Sequence, residues 1–385
     1  MIYQSWCIYV WSGLPMPLEP VMLFLCVLFA FAISTIPQTA RVFVYGRQWN
    51  DTGKGTIIFE EAWTIPALID QITKNAPPLG QTNAELQANL LDIHNQRLAR
   101  MDANGVDYLV LSCATPCIQG ISDQAAAEIM ARDVNNQLAA SIANNTVRFG
   151  GFASLAMHNA TSAAQELQRA VLDLGFLGAM INDYQQSGPD DATLLFYDQP
   201  EYDVFWEMVT ELDVPVYLHP RTNIAQIQAL LYAHAPWLKA AAQEFADTLS
   251  THVLGLCTNG VFDRFPKLRI IVGHLGERIT SDLLRIDQQL ARQLPVGMPM
   301  LRNVTSYWQT NLFETVSGNF ATELLNFHAN QIGLNRIMYS VDYPYVSMED
   351  GQEWLNGLAT NMSLSSEDLL ALKRGLAVDV LGLNR

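Results

Sequence analysis

"VPVYLHPR", residues 214–221, is an apolar run that stops on a histidine, a proline and a cation. A short continuous run of β-branched, aliphatic and aromatic residues predicts a strand buried on both faces, as in a parallel sheet covered by helices. His219 and Arg221 then stand at its carboxyl end. Runs of the same kind recur at 56–60 ("TIIFE"), 106–112 ("VDYLVLS"), 147–155 ("VRFGGFASL"), 177–182 ("LGAMIN"), 268–274 ("LRIIVGH"), 306–313 ("SYWQTNLF") and 336–342 ("RIMYSVD"). Amphipathic stretches between them predict helices at 84–104 ended by Gly105, 122–145 capped by Ser122, 162–174 ended by Gly175, 201–212, 224–255 in two pieces, 277–293, and 318–331 ended by Gly333. Strands alternating with helices give an α/β fold with a parallel sheet, and eight such strands close most naturally into a (β/α)8 barrel.

No linker rich in Pro, Gly or Ser divides the chain after Thr56, so residues 53–385 read as one domain. Residues 1–52 read as an N-terminal extension outside the fold. It carries the apolar run "VMLFLCVLFAFAISTI" (21–36), short for a membrane span of about 20 residues and without a preceding Lys or Arg. An anchor, an atypical signal sequence, and residues foreign to the working protein are the three readings. The third is preferred, because the fold pattern starts only at Thr56.

With 385 residues, half of them hydrophobic, the chain can bury a large core. A net charge of −16 and a pI near 4.7 disfavour nucleic acid and anionic membrane surfaces, which select basic stripes. Membrane contact is expected only if segment 21–36 is a real anchor. A small anionic ligand would need a local positive site. The five cysteines include no CxxC pair, so neither a disulfide framework nor a cysteine zinc site is indicated. Cys113 and Cys117 read as two part-buried thiols, and a reducing, cytoplasmic location is expected.

In a (β/α)8 barrel, catalytic residues gather at the carboxyl ends of the strands. Four strands end on chemistry there: Glu60-Glu61, His219, His274 and Asp342. The remaining histidines fall on predicted helices or, for His158, in a loop. Glu60, His219 and Asp342 offer carboxylate oxygens and an imidazole nitrogen from separate strands, a donor set for one divalent cation with positions left open. Each has a plain structural alternative: surface carboxylate, core histidine, turn residue before Pro344. Three at matching strand ends favour the site. "GHLGE" (273–277) sets Glu277 one helical step from His274, where a carboxylate can orient an imidazole for acid–base work or simply favour a helix N-terminus. Arg221 and Arg285 are candidates for a substrate carboxylate, and Trp63 for stacking on a ring.

Taken together, "FEEAWTIP", "LGFLGAMIN", "FYDQPEYDVFWEMVTELDVPVYLHP", "IIVGHLGE", "NLFETVSGNF" and "RIMYSVDYP" resemble the amidohydrolase-related decarboxylases of the aminocarboxymuconate-semialdehyde type. Within that family the likeness is to fungal 2,3-dihydroxybenzoate decarboxylases and to γ-resorcylate and salicylate decarboxylases. It runs from about Gly53 to the C-terminus. The resemblance implies an amidohydrolase-type barrel, Glu60, His219 and Asp342 as ligands of one divalent ion (Zn, Mn or Mg), and His274 and Glu277 supporting catalysis beside Asp342. It also implies a small aromatic acid as substrate and a homo-oligomer, dimer or tetramer. Many relatives have Glu-x-His on strand one; Ala62 stands at the third position here. "ATPCIQ" (114–119) and Asp183 depart from the usual pattern as well. A hydrolase of an amide, ester or lactone is the alternative within the fold. The missing His-x-His on strand one and the missing lysine in "AMIN" count against it. An inactive binding barrel is the alternative from another class, and the retained polar strand ends count against that.

Overall fold

A computed structural model of the chain describes residues 47–74 and 80–384. The apolar run at 21–36 therefore lies outside the described residues. Eight parallel strands follow one another: β1 Thr56–Trp63, β2 Val106–Cys113, β3 Phe149–Gly151, β4 Ala179–Asn182, β5 Val216–His219, β6 Ile270–Val272, β7 Leu312–Thr315 and β8 Ile337–Met338. They form two ladders, β1 to β3 and β4 to β8. A bridge between Ala153 and Ala179 joins the ladders on one side. On the other, Ala62 N–H donates to Tyr343 O at 2.8 Å, and Ser340 Oγ accepts from the N–H groups of Phe59 and Glu60 at 2.9 and 3.0 Å. The fold is the expected (β/α)8 barrel.

Ile57, Phe59, Tyr108, Val110, Phe152, Tyr217, Ile271, Phe313 and Met338 pack as one cluster inside the cylinder. A larger cluster lies between strands and helices. Each strand is therefore buried on both faces, which is why the sequence shows apolar runs rather than alternation. At the amino end, Arg374 donates to Gly55 O at 3.0 Å and pairs with Asp107 at 2.8 Å, seating the helix Leu376–Leu381 under β1. Trp49 meets Tyr108 edge-on, and Thr52 Oγ1 donates to Asp107 Oδ2 at 2.8 Å, so residues 47–52 also pack on this end. With that end plugged, the carboxyl end is left for chemistry.

Four expectations need correction. The helix read at 122–145 is Gln124–Ile142, capped by Asp123, which accepts from Ala126 N–H at 2.8 Å, rather than by Ser122. The run at 306–313 is not a strand: Asn303 caps a helix Val304–Trp308, accepting from Ser306 N–H, and β7 begins at Leu312. Short aromatic runs do not separate helix from strand by periodicity. The helix expected over 84–104 is two, Asn83–Leu91 and Gln96–Ala103, because the Asp92 carboxylate takes the N–H groups of Asn95 and Arg97 and interrupts the ladder. Cys113 and Cys117 are a disulfide rather than two thiols; the turn between them brings their Cα atoms to 5.9 Å, a span a disulfide bridges without distortion. Among the described residues, no helix is long and apolar enough to cross a membrane.

Candidate metal centre and active site

Strand β1 carries one extra residue against β2 between Ile58 and Glu61. Two successive N–H groups share Ser340 Oγ as acceptor, the pattern of a bulge. Phe59 points into the barrel, and the bulge turns Glu60 inward as well. Glu61 instead faces the seam, where its carboxylate accepts from Ser340 Oγ, Val341 N–H and Tyr343 N–H at 3.0, 3.1 and 2.9 Å. The adjacent glutamates therefore divide the work: Glu60 faces the site, and Glu61 ties down the turn that carries Asp342.

Glu60 is buried. Its Oε2 accepts from the Tyr217 hydroxyl and from Thr315 Oγ1, the latter at 3.1 Å. Its Oε1 has no hydrogen-bond partner. That oxygen lies 3.4 Å from His219 Nε2 and 3.3 Å from His274 Nε2. Each imidazole Nδ1 lies 2.7 Å from a carbonyl, Pro220 O for His219 and Ser317 O for His274. A carbonyl only accepts, so each Nδ1 carries a hydrogen, and a neutral ring presents its Nε2 lone pair toward Glu60. A Cβ at position 273 would stand 2.5 Å from Glu60 Oε1, so glycine there keeps the space open. An orphaned buried carboxylate oxygen and two convergent imidazole nitrogens fit a divalent cation. One donor atom from each of Glu60, His219 and His274 lies within 4.8 Å of the others, and no second such group of three occurs among the described residues.

The two histidines differ electrostatically. Burial pushes the His219 pKa down, which keeps it neutral and suited to ligation. Burial also opposes charge on His274, but the carboxylates of Glu60, Glu277 and Asp342, with the Ser317 carbonyl, outweigh it and raise that pKa to about 9. Burial raises Glu277, whose Oε1 lies 3.9 Å from His274 Nε2. Burial likewise holds Asp342 well above the usual carboxylate range, with Glu60, Glu61 and Glu277 adding to the rise and His274 opposing it. Such an excess of buried acid calls for a cation.

His274 to Arg278 is a run of left-handed backbone, with φ of 53°, 57°, 66°, 44° and 70°. The sequence pattern predicts a right-handed helix opening at Glu277. The left-handed turn costs about 1–2 kcal/mol for each non-glycine residue, and buried contacts hold it. His328 Nδ1 meets Glu314 Oε2 at 2.8 Å, Thr280 Oγ1 donates to Glu314 Oε1, and Asn319 Nδ2 donates to His274 O at 3.1 Å. A side chain at Gly276 would run into the Glu314 carboxylate.

A cavity of about 720 Å³ opens here, lined by His219, Arg221, His274, Glu277 and Asp342 among others. Arg221 is buried beside it, donating to Gln119 O at 2.6 Å and Gln186 Oε1 at 2.9 Å and stacking on Tyr184 at 4.6 Å. Asp342 lies on the cavity wall, but outside the group of three mutually close donors. Two candidates lie elsewhere. Trp63 is packed in the core between strands and helices, and Arg285 is exposed on the helix Leu283–Leu290; neither lines the cavity. Sequence reasoning missed Tyr217 and, while naming Glu61 at the strand end, gave it no role of its own. Tyr217 stands two residues before His219 on one strand, hence on the same face, and that spacing was a usable signal.

Residues 86–383 match the profile of the family described as Amidohydrolase. The chain belongs to the amidohydrolase family. Gamma-resorcylate decarboxylase of Rhodococcus jostii (strain RHA1) is 38% identical to this chain over 335 residues, 86% of the chain and 100% of the relative. Decarboxylase orsB of Emericella nidulans is 34% identical over 333 residues, 84% of the chain and 96% of the relative. The crystal structure of dihydroxybenzoic acid decarboxylase from Polaromonas sp. JS666, with bound manganese and the inhibitor 2-nitroresorcinol, superposes with a TM-score of 0.80 at 35% identity, covering 86% of this chain and 98% of that one. These relatives are decarboxylases, in keeping with the resemblance read from the motifs of this chain.

Proposed function

We propose that the chain is a divalent-metal-dependent, non-oxidative decarboxylase of an ortho-hydroxybenzoic acid, converting it to the phenol and carbon dioxide. The observation that carries this reading is the Glu60 Oε1 atom, buried, without a donor, and facing two imidazole nitrogens. Glu60 and His219 are assigned as ligands with Asp342, and His274 with Glu277 as the proton-handling pair. Neutral His219 suits ligation. His274, surrounded by carboxylates, favours its charged form and suits proton donation. The Polaromonas relative binds manganese and the inhibitor 2-nitroresorcinol, which supports a divalent ion and an aromatic substrate for this chain.

When bound, the ion supplies Lewis acidity at the substrate carboxylate and the neighbouring phenolic oxygen. Loss of carbon dioxide directly from an aryl carboxylate would leave an aryl anion, so the carboxylate-bearing carbon is protonated first. His274, on the same cavity wall as Asp342, delivers that proton, and Glu277 steadies the imidazolium. The C–C bond then breaks, its electron pair returns to the ring, and aromaticity is restored. Arg221 provides the local positive charge an anionic substrate needs in so acidic a protein. A homo-oligomer belongs to the same reading; exposed Trp237, Leu230 and Leu301 supply apolar surface for it.

The test is incubation of the purified protein with salicylate, 2,3- and 2,6-dihydroxybenzoate and an orsellinate-type acid in deuterated water, before and after chelation. Loss of one acid, release of carbon dioxide and deuterium at the vacated carbon are expected, abolished by chelation and restored by Mn(II). An Mn(II)-loaded protein that consumes none of these acids, or that hydrolyses an ester instead, overturns the reading.

A further inference from the structure

The disulfide and the turn it closes stand beside the metal centre, and neither has been given a role. Cys113 is the last residue of β2, and Cys117 opens a short turn that ends at Gly120. Between them, Thr115 and Pro116 line the substrate cavity. Cys117 holds φ of +38°, a conformation that L residues adopt only when their surroundings fix it. From this turn Thr115 Oγ1 donates to Pro220 O at 3.2 Å, and Gln119 O accepts from Arg221 Nη1 at 2.6 Å. Pro220 O is the same carbonyl that takes the His219 Nδ1 hydrogen at 2.7 Å. One oxygen thus joins the disulfide-closed turn to the imidazole whose Nε2 faces Glu60.

We propose that the Cys113–Cys117 disulfide and Thr115 form a positioning element for His219, so that metal affinity depends on the redox state of this cysteine pair. The inference rests on the metal-site reading of Glu60 and His219. Thr115, with Asn182 Nδ2 as the other side-chain donor at 3.2 Å, fixes where the Pro220 carbonyl points, that carbonyl fixes the His219 tautomer and ring orientation, and the disulfide fixes Thr115. Partners of this kind behind a ligating histidine set metal affinity by about tenfold to a hundredfold. Opening the disulfide with a water-soluble phosphine is balanced: water gives its oxygen to phosphorus, forming the phosphine oxide, and the two sulfurs gain two electrons and two protons as thiols.

The experiment is Mn(II) affinity of the full chain by competition with a chromophoric chelator. It compares oxidised protein, protein reduced by phosphine and desalted without air, and the variants Thr115→Val, Thr115→Ser and Cys113→Ser/Cys117→Ser. Reduction should expose two further thiols per chain and weaken Mn(II) binding about tenfold or more. Thr115→Val should weaken it similarly, Thr115→Ser should restore it, and reduction of Thr115→Val should add little. If the double serine variant does not fold, reduction of the folded wild type still decides the matter. Equal affinity in oxidised and reduced protein, or in Thr115→Val and wild type, overturns the inference alone. A wild type that binds no Mn(II) overturns the metal-site reading and the inference with it.

Discussion

Tyr217→Phe removes one oxygen and leaves the packing of the barrel interior unchanged. The Tyr217 ring is fully buried beside Phe59 and Phe152, and phenylalanine fills the same space. What disappears is the hydroxyl donated to Glu60 Oε2, which also lies 2.7 Å from Thr315 Oγ1. Glu60 Oε2 then keeps only the Thr315 donor at 3.1 Å, while Oε1 has none in either protein. A hydrogen bond to a charged group contributes about 1.5–3 kcal/mol, so the carboxylate becomes less stable as an anion and less firmly aimed. At about 1.4 kcal/mol per factor of ten, metal affinity should fall about tenfold to a hundredfold. Mn(II) competition with a chelator reads this directly, and circular dichroism checks that the fold persists. Turnover at saturating Mn(II) should recover most of its loss, because the defect lies in holding the ion. An Mn(II) affinity within twofold of wild type would show that Glu60 does not depend on Tyr217 and that the buried hydroxyl is only structural.

Two further predictions concern the acid side of the site. His274→Gln, compared with wild type at saturating Mn(II), should lose turnover by about a hundredfold to ten-thousandfold, the range for a general acid, beyond any loss of Mn(II) affinity; turnover unchanged with metal bound removes His274 from the chemistry. The metal-free protein should lose thermal stability as pH rises. His274 has its pKa raised from 6.5 to about 9, so its contribution is complete below about pH 6.5 and lost through about 9. Glu61 and Asp183, raised by burial to about 7, fold best protonated and lose stability as pH rises through that value. All three changes have the same sign. Melting temperature measured at intervals between about pH 6 and 9 with chelator should fall, and saturating Mn(II) should flatten the curve by neutralising the carboxylates. A melting temperature that climbs with pH in the metal-free protein contradicts the electrostatic account.

Much of the site was legible because chemistry at a barrel rim is announced by where apolar runs stop. His219 ends β5 directly, His274 and Asp342 lie just past their strands, and Glu60 lies within β1 at its bulge, three residues before the strand ends, so the strand count led to them. Side chains that act across the barrel were harder to see. Tyr217 looks like one more apolar strand residue until Glu60 is known to lie opposite. Glu61 looks like a duplicate of Glu60 until the bulge separates their directions. Arg285 and Trp63 failed for the opposite reason, since proximity in sequence to a strand end or to His274 says nothing about which way a side chain points. The left-handed turn at His274 was hidden for the same reason. Glu314, His328 and Asn319, which hold it, come from other parts of the chain.

By itself the sequence determined the architecture, because burial on both faces of a parallel strand requires a continuous apolar run, and eight such runs with helices between them leave few alternatives to a barrel. It also determined which strand ends carry acid and imidazole. Tertiary structure alone decided that Glu60 turns inward, that one of its oxygens has no donor, and that His219 and His274 differ in proton affinity. Those properties are set by distances of about 3 Å between residues more than a hundred positions apart, and by the loss of water around them. Neither is written into any local run of sequence.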